Sequence, residues 1–196
     1  MAQRSAPLER ATILDTTEAT LRRHGPAKTT MLDVSRALGV SHGALYRYFP
    51  SKAALVAAVT ERWLADVIAP LSTIVSSPTP ARQRMKAWFD TLTDTKRQLA
   101  ASDPELFDTY VELIDDAPEM VQRHVVALLD QLTAIVASGV ANGEIAPRDP
   151  VVTAQAVFHA MTRFHHPLFR RTWTDPDLDT HYQAVWELID TSLTSP

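Results

Sequence analysis

Residues 30–52 read TMLDVSRALGVSHGALYRYFPSK, and this stretch predicts two short helices joined by a tight turn. Thr30 can cap the first helix, because Asp33 follows three residues later in the spacing of a capping box. Gly39 suits the turn, since glycine adopts a positive φ without steric cost. Ser41 can cap the second helix. The layout is that of a helix-turn-helix.

The apolar residues of this stretch are spaced to pack the two helices together and onto the helix before them. They are Val34, Leu38, Val40, Leu45 and Phe49. Small and polar residues are left for the outer face of the second helix. A helix of this kind places its N-terminal residues against base edges in the major groove of DNA.

The outer face therefore supplies candidate DNA contacts. Small residues permit close approach to base edges, and hydroxyl and basic side chains reach phosphates. The tyrosines have an alternative, partial burial against the neighbouring helix, and the histidine can instead be solvent-exposed with no role. The predicted DNA-binding residues are Thr29, Thr30, Ser41, His42, Gly43, Ala44, Tyr46, Arg47, Tyr48 and Lys52.

The charged residues are distributed unevenly along the chain. The net charge is -4 over 196 residues. Residues 1–62 hold nine Lys or Arg against five Asp or Glu, a net +4, whereas residues 63–196 hold ten against eighteen, a net -8. This asymmetry favours an anion-binding N-terminal head on an acidic body.

Helical periodicity continues through the rest of the chain. A first helix is predicted from Leu8 to His24, ending at Gly25-Pro26, and later helices are predicted to start where a capping residue precedes a proline. The prediction is an all-α fold of about nine helices. Residues 1–50 form a three-helix helix-turn-helix domain, and residues 51–196 form a helical bundle.

Several classes of site are not expected from the composition and motifs. The chain has no cysteine, which excludes disulfides and thiol catalysis and fits a reducing cytoplasm. No leader opens the chain, and charges interrupt the apolar stretches before ~20 residues, so no signal peptide or membrane contact is expected. Neither a phosphate-binding glycine loop nor a nucleophile elbow is present, so no catalytic residues, enzyme activity or cofactor are predicted.

A metal site is not predicted either. His159, His165 and His166 are the densest group of histidines in the C-terminal half. Their helical spacing does not let them share one ion, because residues three or four apart face each other and these are one, six or seven apart.

Thr30–Lys52 resembles the DNA-binding domain of TetR-family regulators, and the match extends over about the first 60 residues. Ser35 departs from the family pattern, where alanine is usual, and Leu38 stands where the family often has a smaller residue. The matching positions are Thr30, Gly39-Val40-Ser41, Gly43-Ala44-Leu45-Tyr46 and Phe49-Pro50-Ser51-Lys52, with Ile13-Leu14 and Gly25 in the preceding helix.

The resemblance implies a cytoplasmic transcriptional repressor that binds a palindromic operator as a homodimer. It implies dimerisation through the last two long helices, here Val151–Phe164 and Leu178–Leu193, and a small-molecule pocket in the C-terminal domain. Aromatic residues there favour a hydrophobic or amphipathic effector, although the same residues suit an ordinary core. The predicted pocket residues are Met85, Trp88, Phe89, Phe107, Tyr110, His124 and Phe158.

Dimerisation also has a physical argument. One short recognition helix contacts few base pairs, whereas two helices about one DNA turn apart read a palindrome with the same two-fold symmetry as the protein. Three alternatives stay open from the sequence: a small helical enzyme, a DNA-binding module without effector control, and a transcriptional activator.

Overall fold

The computed structural model describes residues 8–105, 107–108, 111–112 and 118–194. Helices and their connections make up these residues, without a strand, which confirms the predicted all-α fold. The helices are α1 (Arg10–Lys28), α2 (Met31–Leu38), α3 (His42–Tyr46), α4 (Lys52–Val75), α5 (Ala81–Ser102), α6 (Pro118–Ala141), α7 (Pro150–Ala160), α8 (Thr162–His165), a 3₁₀-helix (Pro167–Thr172) and α9 (Leu178–Thr194).

The chain divides into two compact units, here called the head unit and the body unit. The head unit comprises Met1–Trp63 and Asp103–Pro118, and the body unit comprises Leu64–Ser102 and Glu119–Pro196. Helix α4 contributes its first half to the head unit and its second half to the body unit. The functional domain boundary between residues 50 and 51 stays a prediction.

The core of the head unit is built from one side of each short helix. Ile13 of α1, Val34 of α2 and Leu45 of α3 are each 0% exposed, and Phe49 is 2% exposed. Helix α1 packs against α2, and α2 against α3. Burying a side chain of this size stabilises the fold by about 1.5–3 kcal/mol. Three of the five apolar positions predicted to pack the helix-turn-helix are therefore buried in this core, and the other two are half-buried.

Helix α1 is interrupted where the sequence predicts its end. Gly25 has φ 72° and ψ 162° inside the helical run, and Pro26 begins a last turn that reaches Lys28. A side chain at Gly25 would be strained, because that backbone conformation is essentially restricted to glycine. The regular helix thus ends at His24 as predicted.

The core of the body unit comes from α5, α6, α7 and α9. On α5, Met85, Trp88 and Phe89 are each 0% exposed. The Trp88 Nε1–H donates a hydrogen bond of 2.7 Å to Gln131 Oε1 of α6, which satisfies the one polar atom of this buried ring. A Cβ added at Gly139 of α6 would lie 2.7 Å from Ala81 Cβ, so α5 and α6 approach closely at this glycine.

Helix α6 combines length with an apolar composition. Among the described residues it is the one helix long and apolar enough, by length and composition, to cross a membrane. Arg123 and Asp130 nevertheless interrupt its apolar stretch, as expected from the sequence. Leu128, Leu132, Ile135 and Val136 are buried in the body unit, so this stripe of α6 has the burial of a core helix.

The predicted helix Val151–Phe164 is two helices in the structure. Helix α7 starts as predicted, because Asp149 Oδ1 accepts hydrogen bonds from the backbone N–H groups of Val151 and Val152. The helix then breaks at Met161, which has φ -88° and ψ 2°. The short helix α8 follows, and His166-Pro167 ends it as predicted.

Candidate nucleic-acid interface

The turn between α2 and α3 has the backbone geometry that the sequence predicts. Gly39 adopts φ 67° and ψ 28°, in the left-handed region that favours glycine. Its N–H donates to Arg36 O at 3.1 Å, and the Val40 N–H donates to Ser35 O at 3.0 Å. These two bonds satisfy carbonyls at the end of α2, and α3 begins two residues later.

Both helices are capped by the predicted side chains. The Asp33 N–H donates to Thr30 Oγ1 at 3.2 Å, and the Thr30 N–H donates to Asp33 Oδ2 at 3.0 Å, so the capping box is present. Hydrogen bonds from the Thr30 hydroxyl and backbone lower the pKa of Asp33. On α3, Ser41 Oγ accepts from the Ala44 N–H at 3.2 Å. The caps fix where each helix starts.

Helix α3 turns its polar face outward around the buried Leu45. His42, Gly43, Tyr46 and Arg47 are exposed, and Tyr46 is 42% exposed. The rings of His42 and Tyr46 meet edge to face, with centroids 4.8 Å apart. A Cβ built at Gly43 would meet no heavy atom within 4 Å, so the surface in front of this glycine is open. The structure brings these predicted residues together on one accessible face.

Two further predicted residues are engaged with the backbone of the head unit. The Tyr48 hydroxyl donates to Leu8 O at 2.5 Å, and Lys52 Nζ donates to Pro26 O at 2.6 Å. Tyr48 is 38% exposed and therefore partly buried, so its contact with DNA stays a prediction. A hydroxyl oxygen can still accept, and an ammonium has three donors. Both side chains can therefore hold the head together and also meet a phosphate.

Thr29 is placed differently from the other predicted contacts. It is 2% exposed, and its hydroxyl donates to Gly25 O at 2.8 Å. Its side chain holds the corner between α1 and α2 together and does not lie on the outward face, so its contact with DNA stays a prediction. The reason for this placement is local, because Gly25 O accepts both the Thr29 backbone N–H, at 3.1 Å, and the Thr29 hydroxyl.

The structure adds two cations that the motif did not single out. The Arg10 guanidinium lies 4.6 Å from the centroid of the Phe49 ring, next in sequence to Tyr48. Arg36, in the last turn of α2, is exposed. The basic excess of residues 1–62 indicated that such cations exist, but charge counting does not locate them.

The predicted pocket residues separate into two groups. Met85, Trp88, Phe89, His124 and Phe158 are buried in the body unit. Phe107 lies in the head unit, where its ring is edge-on to Trp63 at 5.8 Å between centroids, so it belongs to a different compact unit from the others. Tyr110 lies outside the described residues. The chain segment around Phe107 belongs to the head unit, and Arg22 of α1 forms an ion pair with Asp103 there.

A metal centre finds no support in the part of the chain that the structure describes. No group of three or more His, Asp or Glu side chains there could hold an ion. His165 is 2% exposed, whereas His159 is exposed. These two histidines therefore occupy different environments.

Comparison with known proteins agrees with this architecture. A family profile described as bacterial regulatory proteins, tetR family, matches residues 13–59, and one described as tetracyclin repressor-like, C-terminal domain, matches residues 81–186. Over 192 residues the chain is 28% identical to the HTH-type transcriptional regulator TtgR of Pseudomonas putida, covering 94% of this chain and 89% of TtgR.

Solved structures with the same fold include a transcriptional regulator from Pseudomonas aeruginosa PAO1, with a TM-score of 0.72, 20% identity and coverage of 97% of this chain and 93% of that one. SmeT, the repressor of the Stenotrophomonas maltophilia multidrug efflux pump SmeDEF, superposes with a TM-score of 0.66 at 19% identity, covering 95% and 90%. SmeT is also known as a complex with triclosan. Because the two profiles match both the helix-turn-helix and most of the body, this chain belongs to the TetR family and is a DNA-binding transcriptional regulator.

Proposed function

We propose that this protein is a cytoplasmic repressor that binds a palindromic operator as a homodimer and leaves it when a small hydrophobic or amphipathic molecule binds the body unit. The observation that carries the proposal is the open face of α3. Leu45 anchors this helix in the head core, while His42, Gly43 and Tyr46 face solvent together.

Each residue of that face has a role in DNA contact. Gly43 lets the α3 backbone approach base edges, and the half-buried Ala44 offers a methyl group to a thymine methyl. His42 donates to or accepts from a base edge. Tyr46 and Arg47 reach phosphates on either side. Thr30 caps α2, whose free N–H groups and dipole favour a phosphate at the same end.

The exposed apolar residues of α7 and α9 support a homodimer. Val152 is 62% exposed and Leu188 is 74% exposed, and Ala156, Ala160 and Ala184 are exposed on the same two helices. Exposed apolar surface is often buried against a partner in stable oligomers. A two-fold axis uses the same surface on both copies, and four helices pack into one bundle.

Effector control follows from linkage between two conformers. An effector that binds one conformer better shifts the population towards it, and DNA affinity falls if the heads of that conformer are wrongly spaced. Helix α4 is the continuous element that runs from the head unit into the body unit. The binding of triclosan by the related SmeT supports a small apolar effector for this chain.

Selection of bound DNA from a random pool tests the proposal. The full chain is expected to select a sequence with two-fold symmetry and to bind it with two or an even number of protomers. A small molecule that co-purifies with the protein, or at least one member of a panel of apolar compounds, is expected to release that DNA. Selection of no sequence, or of sequences without symmetry, would contradict the operator proposal. Binding that no compound reverses would favour a module without effector control.

A further inference from the structure

Three basic side chains lie buried in the body unit. Lys96 of α5 is 3% exposed, His124 of α6 is 5% exposed, and His165 of α8 is 2% exposed. Other buried polar groups nearby are paired: the Tyr182 hydroxyl, for example, donates to Asp90 Oδ1 at 2.7 Å. A lysine is almost never fully buried without a partner, so this cluster needs an explanation.

Several buried polar atoms of the cluster have no hydrogen-bond partner among the described residues. Neither ring nitrogen of His124 has a hydrogen-bond partner among the described residues, and the same holds for Thr93 Oγ1, one helical turn before Lys96. Within the described parts of the chain, no carboxylate forms an ion pair with Lys96, and burial alone lowers its pKa, to about 8. Lys96 is therefore mostly a cation at neutral pH, without a counter-ion from these residues.

The charge of Lys96 acts on both histidines. Burial, and after it the charge of Lys96, lower the pKa of His124 and of His165, each to about 3. Helix α5, which carries Lys96, packs against α8, which carries His165. At neutral pH the cluster thus presents one positive charge and two neutral imidazoles.

Aromatic side chains border the cluster on one side. The Phe158 ring lies 4.5 Å from the His165 ring between centroids, and the Phe89 ring lies 6.1 Å from it. Phe89 in turn meets Trp88 edge to face at 5.0 Å. A ligand that satisfies the polar groups would therefore also lie beside buried apolar surface.

We propose that Lys96, His124 and Thr93 bind the carboxylate of an amphipathic organic acid, whose apolar part lies against Phe89 and Phe158. The inference rests on the proposed function, because it names the chemical class of the effector. The Lys96 ammonium supplies the counter-charge for one carboxylate, and the imidazole and hydroxyl supply neutral donors. One cation in the cluster favours a monoanion over a doubly charged phosphate.

Calorimetric titration of the full chain at pH 7 tests the site. The probes are straight-chain carboxylates of eight to sixteen carbons, each compared with the primary alcohol of the same length. At least one acid is expected to bind about tenfold more tightly than its alcohol. In Lys96→Met, which keeps the apolar stem and removes the buried charge, that preference is expected to disappear while the alcohol still binds.

A matched control is Lys86→Met, which removes a half-buried lysine of the same helix that pairs with Asp90. It is expected to leave the preference for the acid unchanged. The proposal is overturned if no acid of the series is preferred over its alcohol, or if the preference survives in Lys96→Met. Circular dichroism of both variants checks that the helical fold is retained.

DNA release, measured by fluorescence anisotropy on the selected operator, separates this inference from the proposed function. Release by the preferred acid in the wild type, and not in Lys96→Met, supports both. Release by an alcohol with no preference for acids overturns the carboxylate site and leaves the repressor proposal standing. A chain that binds no operator contradicts the repressor proposal, whatever the calorimetry shows.

Discussion

Gly43 lies on the outward face of α3, with no heavy atom within 4 Å of the Cβ that alanine would add. A substitution at this residue can therefore change operator binding without destabilising the fold. Gly43→Ala should leave the free energy of unfolding unchanged or raise it by up to about 1 kcal/mol, since alanine is the better helix former. It should weaken operator binding about tenfold, or ~1.4 kcal/mol, because the methyl group keeps the backbone away from base edges.

Chemical denaturation and operator titration measure these two quantities on the same protein. Tyr46→Phe provides a milder comparison, because it removes one hydroxyl and keeps the ring beside His42. An unchanged operator affinity in Gly43→Ala would show that the α3 backbone does not approach DNA closely.

The buried histidines predict a dependence of stability on pH. Burial lowers the pKa of both His124 and His165 to about 3, against 6.5 for free histidine. The unfolded chain therefore binds more protons between these values. The contribution of these histidines to stability should be full above pH 6.5, and stability should fall by up to about 1.4 kcal/mol per pH unit for each histidine as the pH drops below it.

Denaturation at pH 7, 6 and 5 checks the slope. His124→Leu keeps the position apolar and removes one of these groups, so the slope should become shallower by up to about 1.4 kcal/mol per pH unit. Equal slopes in the variant and the wild type would mean that His124 is not held neutral in the folded state.

Site residues whose roles depend on nearby positions in the chain could be predicted from the sequence. Thr30, Gly39 and Ser41 take their roles from neighbours within three or four positions, and the structure shows the expected caps and turn. The backbone bonds of Tyr48 and Lys52 join residues 40 and 26 positions away, so spacing alone does not reveal them.

At the scale of the helices, Gly139 of α6 provides the sharpest prediction. A Cβ there would lie 2.7 Å from Ala81 Cβ and 2.6 Å from Ile145 Cδ1. Ala81 cannot move without moving the start of α5. Gly139→Ala should therefore destabilise the protein by about 1–3 kcal/mol, although alanine favours a helix in isolation.

Urea denaturation of Gly139→Ala and Gly43→Ala makes the comparison, because both replace a helical glycine and only the first meets a neighbour. Gly139→Ala is expected to lower the urea midpoint, whereas Gly43→Ala is expected to leave it unchanged or raise it. Equal stabilisation by both substitutions would contradict the close approach of α5 and α6.

Helix starts were more predictable than helix interruptions. Asp149 caps α7 as its position before Pro150 predicts. At the start of α5, however, the Ala81 N–H donates to the Glu144 carboxylate. Thr79, the capping residue expected before Pro80, forms a hydrogen bond with Ser77. The break at Met161 also has no local signal, because methionine is a good helix former. A tertiary contact sets the first of these features.

At the scale of the whole molecule, the exposed Leu188 of α9 tests dimerisation. Leu188→Glu should convert the protein to monomers, because a carboxylate at the centre of an apolar contact is left without water or a partner. Val126→Glu is the matched control, since Val126 is an exposed valine of α6. Sedimentation velocity measures the oligomeric state, and a dimer that survives Leu188→Glu would place the interface elsewhere.

The division of the whole chain was the least predictable feature. The segment Asp103–Pro118 belongs to the head unit, although it lies far from residues 1–63 in sequence. Phe107 therefore could not be separated from the other predicted pocket residues by periodicity, which reports the buried face of a helix but not its partner. The all-α class was predictable, because helical spacing persists along the chain.

We propose that α3 of each of two protomers lies in the major groove of one operator. The chain has no cysteine, so His42→Cys carries a single attachment site for an iron chelate that cleaves nearby DNA. On the selected operator, we expect two clusters of cleavage related by two-fold symmetry, about 34 Å or one helical turn apart. Cleavage at one cluster only, or a pattern no stronger than that of the chelate on Val126→Cys, would contradict it.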